Sequence, residues 1–354
     1  MCRTTHLFCY LNFLLIYILT ALFLLIFFVR TEILLLHHNL TETKNSTLHT
    51  LPIIEFADQR FPFEFLSIPR LNRCENKELF IFVLTTFGAF HRRQEIRRTW
   101  AQSKHLEHSV VTFVMGTNET SLQLGLLKNE IRRYRDIIWT DVSDGYDYLV
   151  LKDLVAFTVH QRFCRHVPFV LKMDDDVAVI PDRLVHHLKS SLFKNKDNAI
   201  YGLAWFYSEV MRNPESKWYV SYDTYEPNLY PTYVNGPAYL LTAGAVSKIH
   251  QHTQFVKFLS IEDALLTGIV AEKTGVEVID NPDIFKFECS SVLGRAKGSV
   301  YWMHVHRSSH CCLKTYSACD EFGVPKASIV SHDPGSPPLN VSLLYSGLLN
   351  AKCG

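Results

Sequence analysis

The sequence has almost no excess of charge: 36 basic side chains face 35 acidic ones, for a formal net charge of +1. That balance gives no electrostatic reason to expect nucleic acid or an anionic membrane surface as the partner. Neither GxGxxG nor GxxxxGK[ST] occurs, which argues against a dinucleotide oxidoreductase or a P-loop NTPase, and no HExxH framework marks a metal-dependent hydrolase. There is no internal repeat. Nine cysteines in 354 residues are too few for a disulfide mini-scaffold, yet enough for a few bridges in an oxidising compartment. A composition of 47% hydrophobic and 20% charged residues excludes disorder, and the length allows one large domain or two ordinary ones.

One long apolar run is present. Leu7 to Val29 is 23 residues without a charge, and as a helix it spans about 34 Å, enough for a bilayer core. A cleaved signal peptide competes with this reading. The run exceeds an h-region, however, and bulky Phe27, Phe28 and Val29 stand where small residues would be needed. Arg3 and Arg30 flank the run almost evenly, whereas the glycosylation sequons at Asn39, Asn45, Asn118 and Asn340 all follow it and favour a luminal carboxyl-terminal part. The expected organisation is a cytosolic leader (1–6), a transmembrane signal-anchor (7–29), a luminal stem (30–77), a globular domain (78–325) and a loosely attached tail (326–354). Seven cysteines lie beyond the anchor: Cys74, Cys164, Cys289, Cys311, Cys312, Cys319 and Cys353. The number is odd, so at least one is free or paired between chains.

Within the globular part, LFIFVLTT (79–86), SVVTFVMG (109–116) and RDIIWTD (135–141) are short apolar runs of strand length, separated by stretches long enough for crossover helices. A helical pattern around Leu149–Thr158 precedes FVLKMDDDVAV, and Pro181 opens a further helix. The pattern predicts an α/β domain of nucleotide-binding type.

Asp174, Asp175 and Asp176 follow an apolar strand directly, at the sheet edge where open α/β sheets place their ligands. On extended backbone Asp174 and Asp176 share a face, and two carboxylates so close favour a cation between them, with oxygen ligation suiting Mn²⁺ or Mg²⁺. An acidic loop in water is the alternative, made awkward by Lys172 and the apolar flanks. Arg93 and Arg97 lie four apart, on one helical face, where they either clamp a diphosphate or form an ordinary basic surface. Glu262-Asp263 precedes the helix-like ALLTGIVAE, and as a helix cap would need no catalytic role. His304, His306, His310, Cys311 and Cys312 do not match paired zinc-ligand spacing.

Six motifs then occur in one order: HRRQEIRRTW (91–100), FVMG from Phe113, DIIWTDVSDGYDYLVLK (136–152), FVLKMDDDV from Phe169, KWYVSYDTYEPNLYPTYVNGPAYLLT (217–242) and IEDALLTG from Ile261. Over roughly residues 78–310 this resembles the β-1,3-galactosyltransferase and β-1,3-N-acetylglucosaminyltransferase group, glycosyltransferase family 31. The resemblance implies a single-pass type II Golgi membrane protein with a luminal GT-A-like α/β domain and a mostly parallel central sheet. It implies an inverting, Mn²⁺- or Mg²⁺-dependent transfer of a hexose or N-acetylhexosamine, galactose favoured, from a UDP-sugar to a hydroxyl of a glycoprotein or glycolipid glycan. By the same comparison Asp174 and Asp176 become metal ligands with His304 beside them, and Asp263 the general base with Glu262 next in line. Arg93, Arg97, Lys172, Asp175 and Gly236 become substrate-binding residues. The sequence departs from the usual pattern at Tyr148-Leu149-Val150-Leu151-Lys152, Gly236-Pro237-Ala238-Tyr239 and Glu262-Asp263-Ala264. None of these removes a proposed catalytic carboxylate; they bear on donor and acceptor specificity. The competing class is a catalytically silent luminal relative that binds glycans or assists a partner enzyme, against which the intact Asp174, Asp176 and Asp263 speak.

Overall fold

The computed structural model describes residues 51–70, 74–117, 121–190, 196–287, 316–331 and 340–354, with the isolated positions 22, 30 and 193. The Leu7–Val29 run, position 22 apart, lies outside the described residues, as do His304, the histidines and cysteines near it, and the sequons at Asn39, Asn45 and Asn118. Among the described residues no helix is long and apolar enough to cross a membrane.

Pro52–Gly354 forms one compact unit. Its elements begin with β1 (Ile53–Glu55), β2 (Arg60–Pro62), β3 (Phe65–Ser67), β4 (Leu79–Leu84), α1 (Phe90–Arg98), β5 (Ser109–Thr117), α2 (Ser121–Tyr134), β6 (Ile137–Ser143), α3 (Leu149–Phe163) and β7 (Phe169–Asp174). There follow β8 (Ala178–Val179), α4 (Pro181–Leu188), β9 (Ala199–Gly202), β10 (Ala204–Trp205), β11 (Tyr233–Val234), β12 (Ala238–Thr242), α5 (Ala243–His252) and a π-helix, Ala264–Val270. The unit closes with α6 (Ala271–Thr274), β13 (Glu277–Asp280), β14 (Phe285–Phe287), β15 (Tyr316–Ser317), β16 (Ile329–Ser331), α7 (Val341–Asn350) and β17 (Lys352–Cys353).

Every residue of β4 is buried, as an unbroken apolar run requires when both faces of a sheet are covered. Strand alternation sends Phe80, Phe82 and Leu84 into a core shared with Leu151, Leu154 and Phe157 of α3. Leu79, Ile81 and Val83 enter a second core with Ile96, Trp100 and Leu184. The central sheet has eight strands in the order β13-β9-β12-β7-β4-β5-β6-β3. β7, β4, β5 and β6 are parallel neighbours, as the alternation of apolar runs with helices predicts. β12 runs antiparallel to both β7 and β9, and β3 antiparallel to β6, so the sheet expected to be mostly parallel is mixed. The reason is plain in AYLLT of β12: a strand buried on both faces reads the same in either direction, so its pattern carries burial but no polarity.

Two expected boundaries change. The stem, expected over 30–77, gives way to folded structure at Pro52: Ile54, Phe56 and Phe63 are buried, and β3 forms the outer strand of the main sheet. The segment 326–354 is no loose tail. β16 pairs with β14 and β8, and Val341, Leu344 and Leu348 of α7 are buried in the second core. The Pro/Gly/Ser stretch that suggested a tail lies, up to position 339, outside the described residues, and Asn340 of the last sequon caps α7 through the N–H groups of Ser342 and Leu343. Among the described residues two disulfides, Cys74–Cys164 and Cys319–Cys353, join segments distant in sequence.

Candidate active site

The carboxyl ends of β4, β5, β6 and β7 meet at one edge of the sheet, where the backbone leaves each strand with polar groups to satisfy. Asp144, just past β6, accepts hydrogen bonds from the N–H groups of Gly116 (3.0 Å) and Phe87. Lys152 of α3, almost wholly buried, donates to Asp144 at 2.8 Å and to the Thr85 carbonyl at 3.1 Å. One lysine thereby ties three strand ends together before any ligand arrives. Thr85 in turn donates to Asp175 at 2.7 Å.

Lys172 is the second hub. Sited in β7 two residues before Asp174, it is 1% exposed and donates to Asp174 Oδ1 (2.7 Å) and to the Gly236 carbonyl (2.6 Å), with Glu262 at 3.6 Å. Burial opposes its charge, but Asp174, Glu262 and Asp153 outweigh burial and hold the ammonium firmly protonated. Tyr239 of β12 donates to Glu262 and lies 3.2 Å from Asp153. Asp153 is fully buried, and that burial together with Glu262 pushes its carboxyl far above the ordinary range.

Asp263 stands at the amino end of the π-helix. Its Oδ1 accepts from the Ala264 N–H at 2.8 Å and its Oδ2 from the Gly236 N–H at 3.0 Å. Burial and the adjacent Glu262 raise its pKa to about 7, against the pull of Ala264, Lys172 and Gly236. A Cβ on Gly236 would sit 3.1 Å from Asp263 Oδ2, so the glycine permits this close approach. Asp174 is pushed to about 6, by burial first and then by Asp176, with Lys172 pulling the other way. Two carboxylates that burden each other in this way are the donor set a hard divalent cation relieves.

The expected residues do not all converge. Lys172, Asp174, Gly236, Glu262 and Asp263 form one connected cluster. Asp175 faces inward, with its oxygens taken by Thr85 and by Arg92 (2.5 Å), and Arg92 also approaches Asp176 at 3.9 Å. Arg93 and Arg97 are a correction: both serve the interior instead of clamping a diphosphate. Arg93 binds Glu130 through Nε (2.9 Å) and Nη2 (2.7 Å) and the Thr86 carbonyl through Nη1 (2.7 Å). Arg97 grips Asp136 with two bonds of 2.8 Å and Glu130 at 2.7 Å, its guanidinium lying over the rings of Phe113 and Tyr134. Their common helical face was legible; the acidic residues that claim it, on α2 and before β6, were not.

Sequence reasoning also passed over Arg92, whose half-exposed side chain reaches the acidic triplet. It missed Tyr146 and Trp218 as well, which flank the Lys217 ammonium at 5.5 and 4.6 Å and share a side-chain hydrogen bond, Tyr146 lying within the field of Asp263. Arg92 carried a partial signal, since, like Arg98, it lies off the helical face that Arg93 and Arg97 share.

Residues 91–282, over half of the chain, match the family model described as Galactosyltransferase. The lactosylceramide 1,3-N-acetyl-beta-D-glucosaminyltransferase A of Danio rerio is 30% identical over 243 residues, 66% of this chain and 63% of that protein. Beta-1,3-galactosyltransferase 1 of Mus musculus is 29% identical over 223 residues, 62% of this chain and 68% of that protein. The aligned region thus spans just under two-thirds of the zebrafish relative's length. Among solved structures, mouse xyloside xylosyltransferase 1 superposes with a TM-score of 0.38 at 13% identity, covering 74% of this chain and 99% of that one, too loosely to bear on the argument.

Proposed function

Because the chain belongs to the galactosyltransferase family, we propose that it is an inverting β-1,3-glycosyltransferase of GT-A-like fold. It moves a hexose or N-acetylhexosamine, galactose favoured, from a UDP-sugar to a hydroxyl of a glycoprotein or glycolipid glycan. One observation carries the reading: a continuous hydrogen-bonded path runs Asp174–Lys172–Gly236–Asp263, linking the acidic triplet to a carboxylate whose pKa is raised to about 7.

The crowded, oxygen-only pair Asp174 and Asp176 fits Mn²⁺ or Mg²⁺, with His304 proposed beside them. Such a cation, when bound, neutralises charge developing on the diphosphate leaving group. Lys172 orients Asp174 and, through the Gly236 carbonyl, the turn that presents its N–H to Asp263. Asp263 accepts the proton of the attacking acceptor hydroxyl, and one such base suffices for inversion. Arg92 holds Asp175 inward and leaves its neighbours facing the donor. The domain lies in the Golgi lumen behind a type II anchor at 7–29.

Asp263→Asn tests the assignment, because it keeps size and one of the two backbone hydrogen bonds, its amide nitrogen being unable to accept the other, while removing the base. Turnover is expected to fall about 10²–10⁴-fold with UDP affinity unchanged, whereas Asp176→Ala is expected to abolish metal-dependent UDP binding in calorimetric titration. Near-normal turnover of Asp263→Asn would overturn the assignment and move the base to Glu262. Protease protection of the full chain in sealed microsomes tests the orientation: digestion of the domain from the cytosolic side would refute it.

A further inference from the structure

We propose that His186, His187 and Asp320 form a second metal site, of the bis-imidazole and carboxylate kind that takes Zn²⁺. None of these residues belongs to the proposed catalytic cluster. One nitrogen from each histidine and one oxygen from Asp320 all lie within 4.8 Å of one another. His186 Nε2 is 2.7 Å and His187 Nδ1 3.6 Å from the same oxygen, Asp320 Oδ2. Consecutive residues on a helix diverge by about 100°, yet these two converge, since His186 reaches with its outer nitrogen and His187 with its inner one.

The geometry at His187 points to the ligand. Its Nε2 lies 3.0 Å from the Pro325 carbonyl, which can only accept, so the ring proton is on Nε2. Nδ1 then presents a lone pair. It is fully buried and has no hydrogen-bond partner, and it faces a carboxylate oxygen, which is also an acceptor. A buried imidazole lone pair facing a carboxylate oxygen, itself only partly buried and shared with His186, is unfavourable unless a cation lies between them.

The surroundings are those of a prepared site. Asp320 Oδ1 accepts from the N–H groups of Phe322 (3.0 Å) and Val324 (2.8 Å), which fix the carboxylate and leave Oδ2 to face the histidines. His187 and Asp320 are thus each held from behind by backbone, the outer-shell pattern of ligating residues. Both histidines sit in the last turn of α4, where the helix dipole favours positive charge. The Cys319–Cys353 disulfide anchors the turn next to Asp320. Two imidazoles with one carboxylate suit Zn²⁺ over Mg²⁺ or Mn²⁺ and leave a fourth position for water. The ion would fasten α4 to the 316–331 segment, as a clamp on the carboxyl-terminal part of the fold.

The test uses the purified full chain, stripped with a chelator and titrated calorimetrically with Zn²⁺ alone or Mg²⁺ alone, with thermal midpoints recorded in parallel. The comparison variants are His186→Ala, which alters a half-exposed side chain, and Asp320→Asn, whose amide oxygen keeps both backbone hydrogen bonds. Each is expected to bind one Zn²⁺ fewer than the parent, or to bind it about 100-fold more weakly, and to lose the Zn²⁺-dependent rise in midpoint that this site supplies; any rise with Mg²⁺, which the Asp174–Asp176 pair would take, should be the same in parent and variants. The reference is the ~10–100-fold that loss of an outer partner alone brings. Unchanged Zn²⁺ stoichiometry, affinity and midpoint rise in both variants would overturn the proposal and leave the triad joined by the direct His186–Asp320 contact alone. No part of this readout needs donor, acceptor or turnover.

Discussion

At the scale of single residues, the two arginines of α1 show how charge identity and charge employment differ. Arg93 and Glu130 are each about 1% exposed at the side chain, and removing Arg93 leaves the buried carboxylate with Arg97 as its remaining ion-pair partner. Arg93→Ala is expected to cost about 1.5–3 kcal/mol of stability, read as a fall in the denaturation midpoint, with the donor Michaelis constant of the surviving folded fraction unchanged. A normal midpoint with impaired donor binding would return Arg93 to the substrate. Asp263 gives a pH prediction with a definite sign. Its carboxyl keeps a proton up to about pH 7 in the fold and only to about 3.8 in the unfolded chain. The native state therefore binds the extra proton between those values, and the stability it contributes, full below 3.8, is lost as pH rises through 7. Against Asp263→Asn, the parent should lose stability between pH 4 and 8, while its kcat/KM climbs through about pH 7 as the base is freed. Parallel stability curves for the two proteins would show that the shift is absent.

At the scale of elements, the segment after Asp263 is the instructive one. ALLTGIVAE has helical spacing, and the chain does coil there, but Ala264–Val270 is a π-helix before α6 resumes the α form. π-turns are rare and often mark functional sites. Here the wider turn is accompanied by a specific bond set: Thr267 Oγ1 donates to the Asp263 carbonyl at 2.6 Å and accepts from the Val234 N–H at 3.1 Å. Thr267 thus ties the turn that carries Asp263 to β11. Thr267→Val keeps the shape and strands the buried Val234 N–H, which should lower stability by about 1–3 kcal/mol. If the tie also positions Asp263, kcat should fall more than the donor Michaelis constant changes. A stability loss with an unaltered kcat would mean that Thr267 serves the fold alone.

For the whole molecule, the limits of the folded unit are the testable point. Ile54 and Phe56 are each 4% exposed, Phe56 packs on Phe61 and Phe258, and the Ala57 N–H reaches the Val256 carbonyl at 2.8 Å. A fragment starting at Arg60 should therefore be less stable than one starting at Thr50, by roughly 3–6 kcal/mol for two buried side chains. Equal midpoints for the two fragments would place 50–59 outside the cooperative unit. Deletion of 341–354 should be more severe, since it removes three buried side chains of α7 and the Cys353 half of a disulfide.

The sequence by itself determined the α/β alternation, the buried parallel strands and the cluster of carboxylates at a strand end, because these rest on local periodicity and on apolar runs that need cover on both faces. It also carried the ordered motifs that place the chain in its family. Only the tertiary structure decided what long-range partners decide. It set the antiparallel course of β12 and brought Gly236 to Lys172, which lies 64 positions before it and also holds Asp174. It engaged Arg93 and Arg97 with Glu130 and Asp136, and brought Asp320 to His186 across 134 positions. A charged side chain has the same letter whether it waits for a ligand or is already satisfied, and the difference lies in which distant group the fold sets beside it.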